Sequence, residues 1–402
     1  MEKPVAIIEI TDSVVRLVIG NVVDSTPVVI YRVEKPISGI VSRAEILDLN
    51  KLTAVIASLK TIVDDEAKLK INITEATVIF PPLGFQIYTC DKSTSVVSQT
   101  NVIEHLDIQN VISMVQNESV PGGSEIVDII PDLFVLEDGR QFLNPPLGQK
   151  SRILQLFAKV HTLPNRVVSD YKRAVEGAGI RVKRIMVAPY AACDYLKHAD
   201  IEPKNFILVD MNDGMTSLTL VGALSPFSCG HFLLGKNDLV LKVANEFGID
   251  EEKARGFIDL YGINERELSF EPVLFSMHRP DGSYRNVTPD DFNNVINDFF
   301  KEYFVQFDVA YATLLQGYSE EVKKLPIVFT GELSKLFGIK KLLKKKFSEA
   351  EEIYFPVPKT IGIRDTKFTN CVGALLINSR YRGSLSDQRA KTTQLDREES
   401  KD

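Results

Sequence analysis

The residues best placed to do chemistry are carboxylates that recur at the same point of two similar hairpins. The first reads VAIIEI, then TDS, then VVRLVIGNVV; the second reads NFILVDM, then NDG, then MTSLTLVGA. Setting Glu9 opposite Asp210 aligns Ile10 with Met211, Asp12 with Asp213 and Leu17 with Leu218. Both arms are rich in β-branched residues, as strands prefer. A hairpin repeated half a chain apart is the mark of an internal duplication. Carboxylates at such turns can ligate a metal, and Asp and Asn are also ordinary solvated turn formers. Other chemistry finds little support. Ser13 has no His or Lys near it in sequence, and His105, His161, His198, His231 and His278 are isolated, so neither a metal centre nor a triad can be argued. Cys90, Cys193, Cys229 and Cys371 lie far apart without a CxxC, and read as small buried hydrophobes in a reducing compartment. Lys340, Lys341, Lys344, Lys345 and Lys346 read as a solvated helix face, or as one turned toward an acidic membrane or partner.

These turns need a scaffold, and the chain is long enough for one. Its 402 residues are 44% hydrophobic and 25% charged, which implies two or more cores. The net charge of −7 is spread along the chain, and no basic block points to nucleic acid. The apolar run in MEKPVAIIEI is too short for a signal peptide, and no stretch nears the roughly 20 apolar residues of a membrane span. The expected location is therefore the cytoplasm, free or peripheral on the inner face of the membrane.

Apolar spacing predicts a helix over 49–64, and KINITEATVIF returns to strand alternation. Residues 84–163 read as a self-contained α+β unit: a helix over 102–116, a PGG turn, and strands in EIVDIIPDLFVL and RILQLFAKVHTL. Helices follow over 165–179, 237–247 and EEKARGFIDLYG, the last capped by Gly262. Residues 263–290 read as polar, with turns at Arg279 and Pro280 and at Asp281 and Gly282. A long helix over 289–315 carries an aromatic stripe that includes Phe292, Phe299, Phe300, Phe304 and Phe307, read as core. A strand, LPIVFT, precedes the turn GELSKLFG and a lysine-rich helix, and from Arg380 the chain reads as a polar, disordered tail.

The stretch EIVDIIPDLFVLEDGRQFLNPPLGQKSRILQLFAKVHT (125–162) carries a resemblance. Ile130–Pro131, Asp138–Gly139, Asn144, Pro146 and Gly148 fall where FtsA proteins have "viP", "DG" and "P-x-G", and Ala178, Gly179, Pro189 and Ala191 match a later passage of that family. With the duplicated hairpin, the chain from about residue 5 to 378 resembles FtsA, which tethers the FtsZ division ring to the membrane. The fold this implies is α/β: actin-like (ribonuclease H-like) duplicated domains with an FtsA-type α+β insertion. The implied division is 1–83 with 164–196 and 365–380 as the first domain, 84–163 as the insertion, 197–236 with 303–364 as the second core, 237–302 as its subdomain, and 381–402 as tail.

The resemblance also implies a nucleotide site for ATP and Mg²⁺, with Glu9, Ser13, Asp210, Gly214, Thr216, Gly331 and Ser334 as the binding residues. The loops depart from the family pattern. Asp-Ile-Gly-Thr-Ser has become Glu9-Ile10-Thr11-Asp12-Ser13, and two glycines of the second loop are Asn212 and Asp213. The Thr-Gly-Gly-Gly turn is Thr330-Gly331-Glu332-Leu333, and Arg255 and Ile258 stand where Glu and Lys would meet the nucleoside. Lost glycines and added carboxylates disfavour phosphate. The site is therefore read as a degenerate ATPase with hydrolysis weakened or lost and no catalytic residue or metal ligand assigned.

The implied partners are the FtsZ C-terminal tail on 237–302, further copies of the chain through actin-like contacts, and other division proteins at the insertion. SRYRGSLSDQRAKTTQLDREESKD holds Leu385 and Leu395 as its aliphatics, too few for an interfacial helix of the kind that anchors FtsA. An active actin-like ATPase and a PilM-like assembly platform, which shares the fold and the insertion type, are the alternative readings.

Overall fold

The computed structural model describes residues 4–64, 69–196, 203–223, 225–263, 272–278, 282–357 and 360–380. Two five-stranded sheets are built in the same order. In the first, Val5–Ile10, Val14–Val23 and Thr26–Pro36 form an antiparallel meander, and Glu75–Phe80 then Arg181–Val187 extend it in parallel from Val5–Ile10. In the second, Phe206–Met211, Thr216–Gly222 and Ser225–Phe232 make the meander, and Ile327–Thr330 then Ile353–Tyr354 the parallel edge. The hairpin duplication legible in the sequence is thus a duplication of whole sheets.

Each sheet is covered on both faces, so its central strands are apolar at nearly every position instead of alternating. Ile8, Ile10 and Leu17 of the first sheet pack under helices Leu49–Ala57 and Asn165–Gly177. Its other face, with Ile7 and Val18, meets helices Ala188–Leu196 and Thr369–Arg380, which also cover Leu208 and Val221 of the second sheet. These two helices therefore weld the lobes together. The far face of the second sheet packs on helices Lys236–Phe247, Glu251–Tyr261 and Pro289–Leu314. The last of these opens with Thr288 and Asp291 capping each other's backbone amides, and buries Phe292, Phe299, Phe300, Tyr303 and Phe307. The aromatic stripe is core, as its spacing predicts; Phe304 lies only partly buried at its edge.

The α+β unit is a four-stranded antiparallel sheet: Gln141–Phe142, Ser124–Leu136, Ile153–Pro164 and Gln86–Ser95, with helix His105–Gln116 on one face over Phe134, Leu154 and Leu156. That helix starts three residues later than its apolar spacing suggests. The buried Asp107 carboxylate accepts the Glu104 and Val97 amides, which keeps 102–104 extended as a cap. The expected helix over 49–64 also ends early, at Ala57. Thr61–Asp64 is a strand paired with Leu69–Asn72, in keeping with its run of β-branched residues. The stretch expected as polar turns carries a short hairpin, Phe275–His278 with Tyr284–Val287, seated on the second core through Phe275 and Val287. Strands of four residues are too short for alternation to announce them. The turn expected at Arg279, Pro280 and Asp281 lies outside the described residues, as does the tail beyond Arg380. No helix among the described residues is long and apolar enough to cross a membrane.

Candidate functional site

The two hairpin turns meet between the lobes, and polar groups of the first are bonded within the protein itself. In the first turn the Thr11 hydroxyl accepts the Val14 amide at 3.1 Å and the Ser13 amide at 3.3 Å. Those are amides of the turn that a phosphate would need. Asp12, 7% exposed, turns its carboxylate onto the backbone amides of Arg43 and, at 3.0 Å, Ala44. Arg43 and Ala44 both hold positive φ, of 51° and 62°, a costly conformation that delivers two successive N–H groups to one carboxylate. The same carboxylate presses on the second turn: a β-carbon on Gly214 would lie 1.8 Å from the Asp12 Oδ2. Only glycine fits there.

Strand register builds the second feature. Glu9 pairs with Arg16, and Arg16 with Glu34, so the three side chains form a row across one face of the first sheet. The Arg16 guanidinium is 3% exposed and meets Glu9 at 3.2 Å, Glu34 at 2.8 Å and, in the other lobe, Glu332 at 3.0 Å. Asn370 donates to the second Glu9 oxygen at 2.8 Å. Two further contacts cross between lobes, Ser13 Oγ to Asn237 Oδ1 at 3.4 Å and Arg43 to Asp238 at 3.1 Å. Burial opposes the charge on Arg16, and Glu9, Glu332 and Glu34 outweigh it, so its pKa lies above the ordinary arginine value.

The acids that Arg16 does not touch behave differently. Burial pushes Asp210 up to about 6, against hydrogen bonds from Thr330 Oγ1 at 2.8 Å and Asn212 Nδ2 at 2.5 Å. Burial likewise raises Asp12, and burial with Glu332 nearby raises Asp213.

The residues expected from the sequence divide into two groups. Glu9, Ser13, Asp210 and Gly214 stand at the cleft. The Thr216 hydroxyl does not: it bonds Tyr303 at 2.8 Å and donates to the Leu234 carbonyl at 2.9 Å, inside the second core. Facing residues of an antiparallel pair share a side, and Asp210 faces Ser217, so Ser217 is the hydroxyl that lines the cleft. Ser334 and Gly331 shape the adjoining turn, with Ser334 Oγ donating to the Gly331 carbonyl at 2.7 Å. Gly331 has φ of 87° and a β-carbon there would sit 2.5 Å from the Met211 carbonyl. Gly331→Ala is therefore expected to lower stability by about 2 kcal/mol, the left-handed conformation alone accounting for about 1–2; urea denaturation measures it. Ile258 is fully buried in the second core and does not reach the cleft, whereas Arg255 reaches Asn237 at 2.7 Å. Arg16, Ser217 and Asn370 are the cleft residues that motif reading missed.

The cavity left between the turns is about 30 Å³, room for about two water molecules. Three carboxylates, Glu9, Asp12 and Asp213, line it, and two amides of the first turn are bonded to Thr11. The residues present do not fit a triphosphate with its magnesium in this arrangement. Among the described residues, no group of three or more His, Cys, Asp or Glu side chains is placed to hold a metal ion.

No protein-family model matches the chain. Cell division protein FtsA of Enterococcus hirae is 24% identical over 390 residues, covering 94% of this chain and 83% of that protein. FtsA of Bacillus subtilis is 22% identical over 399 residues, covering 94% and 84%. Among solved structures, the PilM-PilN type IV pilus biogenesis complex superposes with a TM-score of 0.62 at 15% identity, covering 93% of this chain and 98% of that one. MreB 5 of Spiroplasma citri bound to AMPPNP gives 0.50 at 11% identity, covering 100% and 99%. The repeated sheet order fits those actin-like structures, and the sequence kinship runs nearly end to end: this chain is a distant homologue of FtsA on an actin-like fold.

Proposed function

We propose that this chain is an FtsA-like cell-division scaffold linking FtsZ to the division apparatus, with a cleft that serves as a fixed joint and has weakened or lost ATP hydrolysis. The observation that carries the joint is Arg16. Its guanidinium stands among Glu9, Glu34 and Glu332 of two lobes, supplying from within the positive charge that a bound metal cation would otherwise bring to these acids. With Asp12 seated against Gly214, the lobes have polar contacts across the cleft that need no ligand. The scaffold role rests on kinship with FtsA. On that reading, 237–302 takes the FtsZ C-terminal tail, and 84–163 meets the next copy in a filament and later division proteins. The actin-like domains are 1–83 with 164–196 and 365–380, and 197–236 with 303–364. The protein works in the cytoplasm, free or peripheral on the inner face of the membrane. A pilus-type platform is the weaker reading, because likeness to PilM at 15% identity speaks for the fold alone.

Two measurements test this. An FtsZ tail peptide on beads is expected to retain the protein, and retention equal to a scrambled peptide removes the scaffold reading. Phosphate release with ATP and Mg²⁺ is expected to match a protein-free control. Turnover that disappears on Asp210→Asn would overturn the joint.

A further inference from the structure

The charged row on the first sheet runs outward from the cleft into an open pocket of about 500 Å³, between strand Thr26–Pro36 and the segment leading into the last helix. Its carboxylates are already engaged. Glu34 accepts from Arg16 at 2.8 Å and from Lys367. Asp365 accepts from Lys335 at 3.2 Å and from the Lys367 amide at 3.1 Å. The arginines are not engaged. Among the described residues, the exposed Arg32 guanidinium makes no hydrogen bond or ion pair and lies over the Phe368 ring at 5.4 Å. The exposed Arg364 guanidinium likewise has no carboxylate partner among them. Glu34 stands two residues from Arg32 on the same strand, yet its oxygens are held by other cations.

A guanidinium is a rigid fork of donors that matches phosphate oxygens two at a time. Here two such forks and Lys367 line one concavity whose negative charges are neutralised internally. Phe368, only 2% exposed, is a fixed platform that also carries Arg16 at 5.9 Å and Lys367 at 5.3 Å, so the position of Arg32 is not left to solvent. The volume falls in the range of small-molecule sites, about 300–1,000 Å³.

We propose that this pocket binds a phosphorylated small molecule, with Arg32 and Arg364 taking the phosphate oxygens. The site is separate from the cleft and does not depend on the scaffold reading. The test is calorimetry with inorganic pyrophosphate at low ionic strength, on the full chain. Wild type is expected to bind, and Arg32→Ala with Arg364→Ala to weaken binding at least tenfold. Arg32→Lys with Arg364→Lys is expected to lose most of that affinity, because an ammonium keeps the charge without the fork. Lys344→Ala with Lys345→Ala, on a different face, is expected to bind as wild type. Circular dichroism checks that the variants are folded, and both arginines are exposed. No heat with wild type, or equal affinity in the double alanine variant, overturns the site. Tighter binding of citrate than of pyrophosphate overturns its assignment to phosphate.

Discussion

Arg16→Met is expected to destabilise the protein by about 3–5 kcal/mol, the usual loss when one partner of a buried charge network is removed. Methionine roughly preserves the volume, so little of the loss is cavity. What remains is three carboxylates facing one another: Glu9, 4% exposed, with Glu34 and Glu332. Glu9 keeps Asn370, and Glu34 keeps Lys367. Glu332 keeps Lys335 at 2.9 Å. Those partners moderate the loss without cancelling it, because none of them sits between the three acids.

The charge origin of the effect can be separated from packing. Adding Glu9→Gln to Arg16→Met removes the most buried of the stranded charges and should recover part of the loss, since a neutral amide still accepts from Asn370. Glu332→Gln alone weakens the leg that crosses between lobes, and the pairing with Lys335, and should cost less, about 1.5–3 kcal/mol, as a charged hydrogen bond does. Urea denaturation followed by circular dichroism reads all three. A loss below about 1 kcal/mol for Arg16→Met means the network is solvated in practice, and the fixed joint goes with it.

That Arg16 escaped motif reading has a physical reason. Motifs locate the turn, and a turn's glycines and acids are local in sequence. The ion pair instead follows from strand register: a hairpin closing at Thr11 to Ser13 sets Glu9 opposite Arg16, and the next strand adds Glu34. Counting across the turn would have found it. The same count puts Ser217, and not Thr216, beside Asp210. The Asp12 carboxylate is another matter. Its partners are the Arg43 and Ala44 amides, about thirty residues on, in a left-handed pair that carries no glycine to advertise it. No local pattern reaches that far, so the sequence could show an acid where phosphate belongs but not what satisfies it. The lobes were more legible. One apolar hairpin occurring twice made two sheets of one order, because strands buried on both faces leave continuous apolar runs that align well. Where the apolar run was ambiguous, at 49–64, helical spacing overreached into four residues whose β-branching favoured a strand.

Asp210→Asn should stabilise the protein at neutral pH, the opposite sign to the loss of Arg16. Burial holds the Asp210 carboxyl near 6 against an ordinary 3.8, so the folded state binds its proton more tightly than the unfolded chain does. The carboxylate is then a burden that grows as pH rises from about 4 to 6, from near nothing below the unfolded value to about 3 kcal/mol at pH 7. Asparagine removes the charge. It can keep the Thr330 hydrogen bond, while Asn212 must turn its amide to present oxygen, a cost of about 1 kcal/mol. The net expectation is about 2 kcal/mol of added stability at pH 7, shrinking through pH 5 and gone near pH 4. Asp12 and Asp213 titrate in both proteins and cancel in the difference. Paired urea titrations across pH 4–8 give the curve. A variant less stable than wild type at pH 7, or a difference flat in pH, shows that the Asp210 charge is compensated in place. The two variants probe the same cleft from opposite sides: one takes away the cation that neutralises it, the other a buried charge that the pull of that cation does not offset.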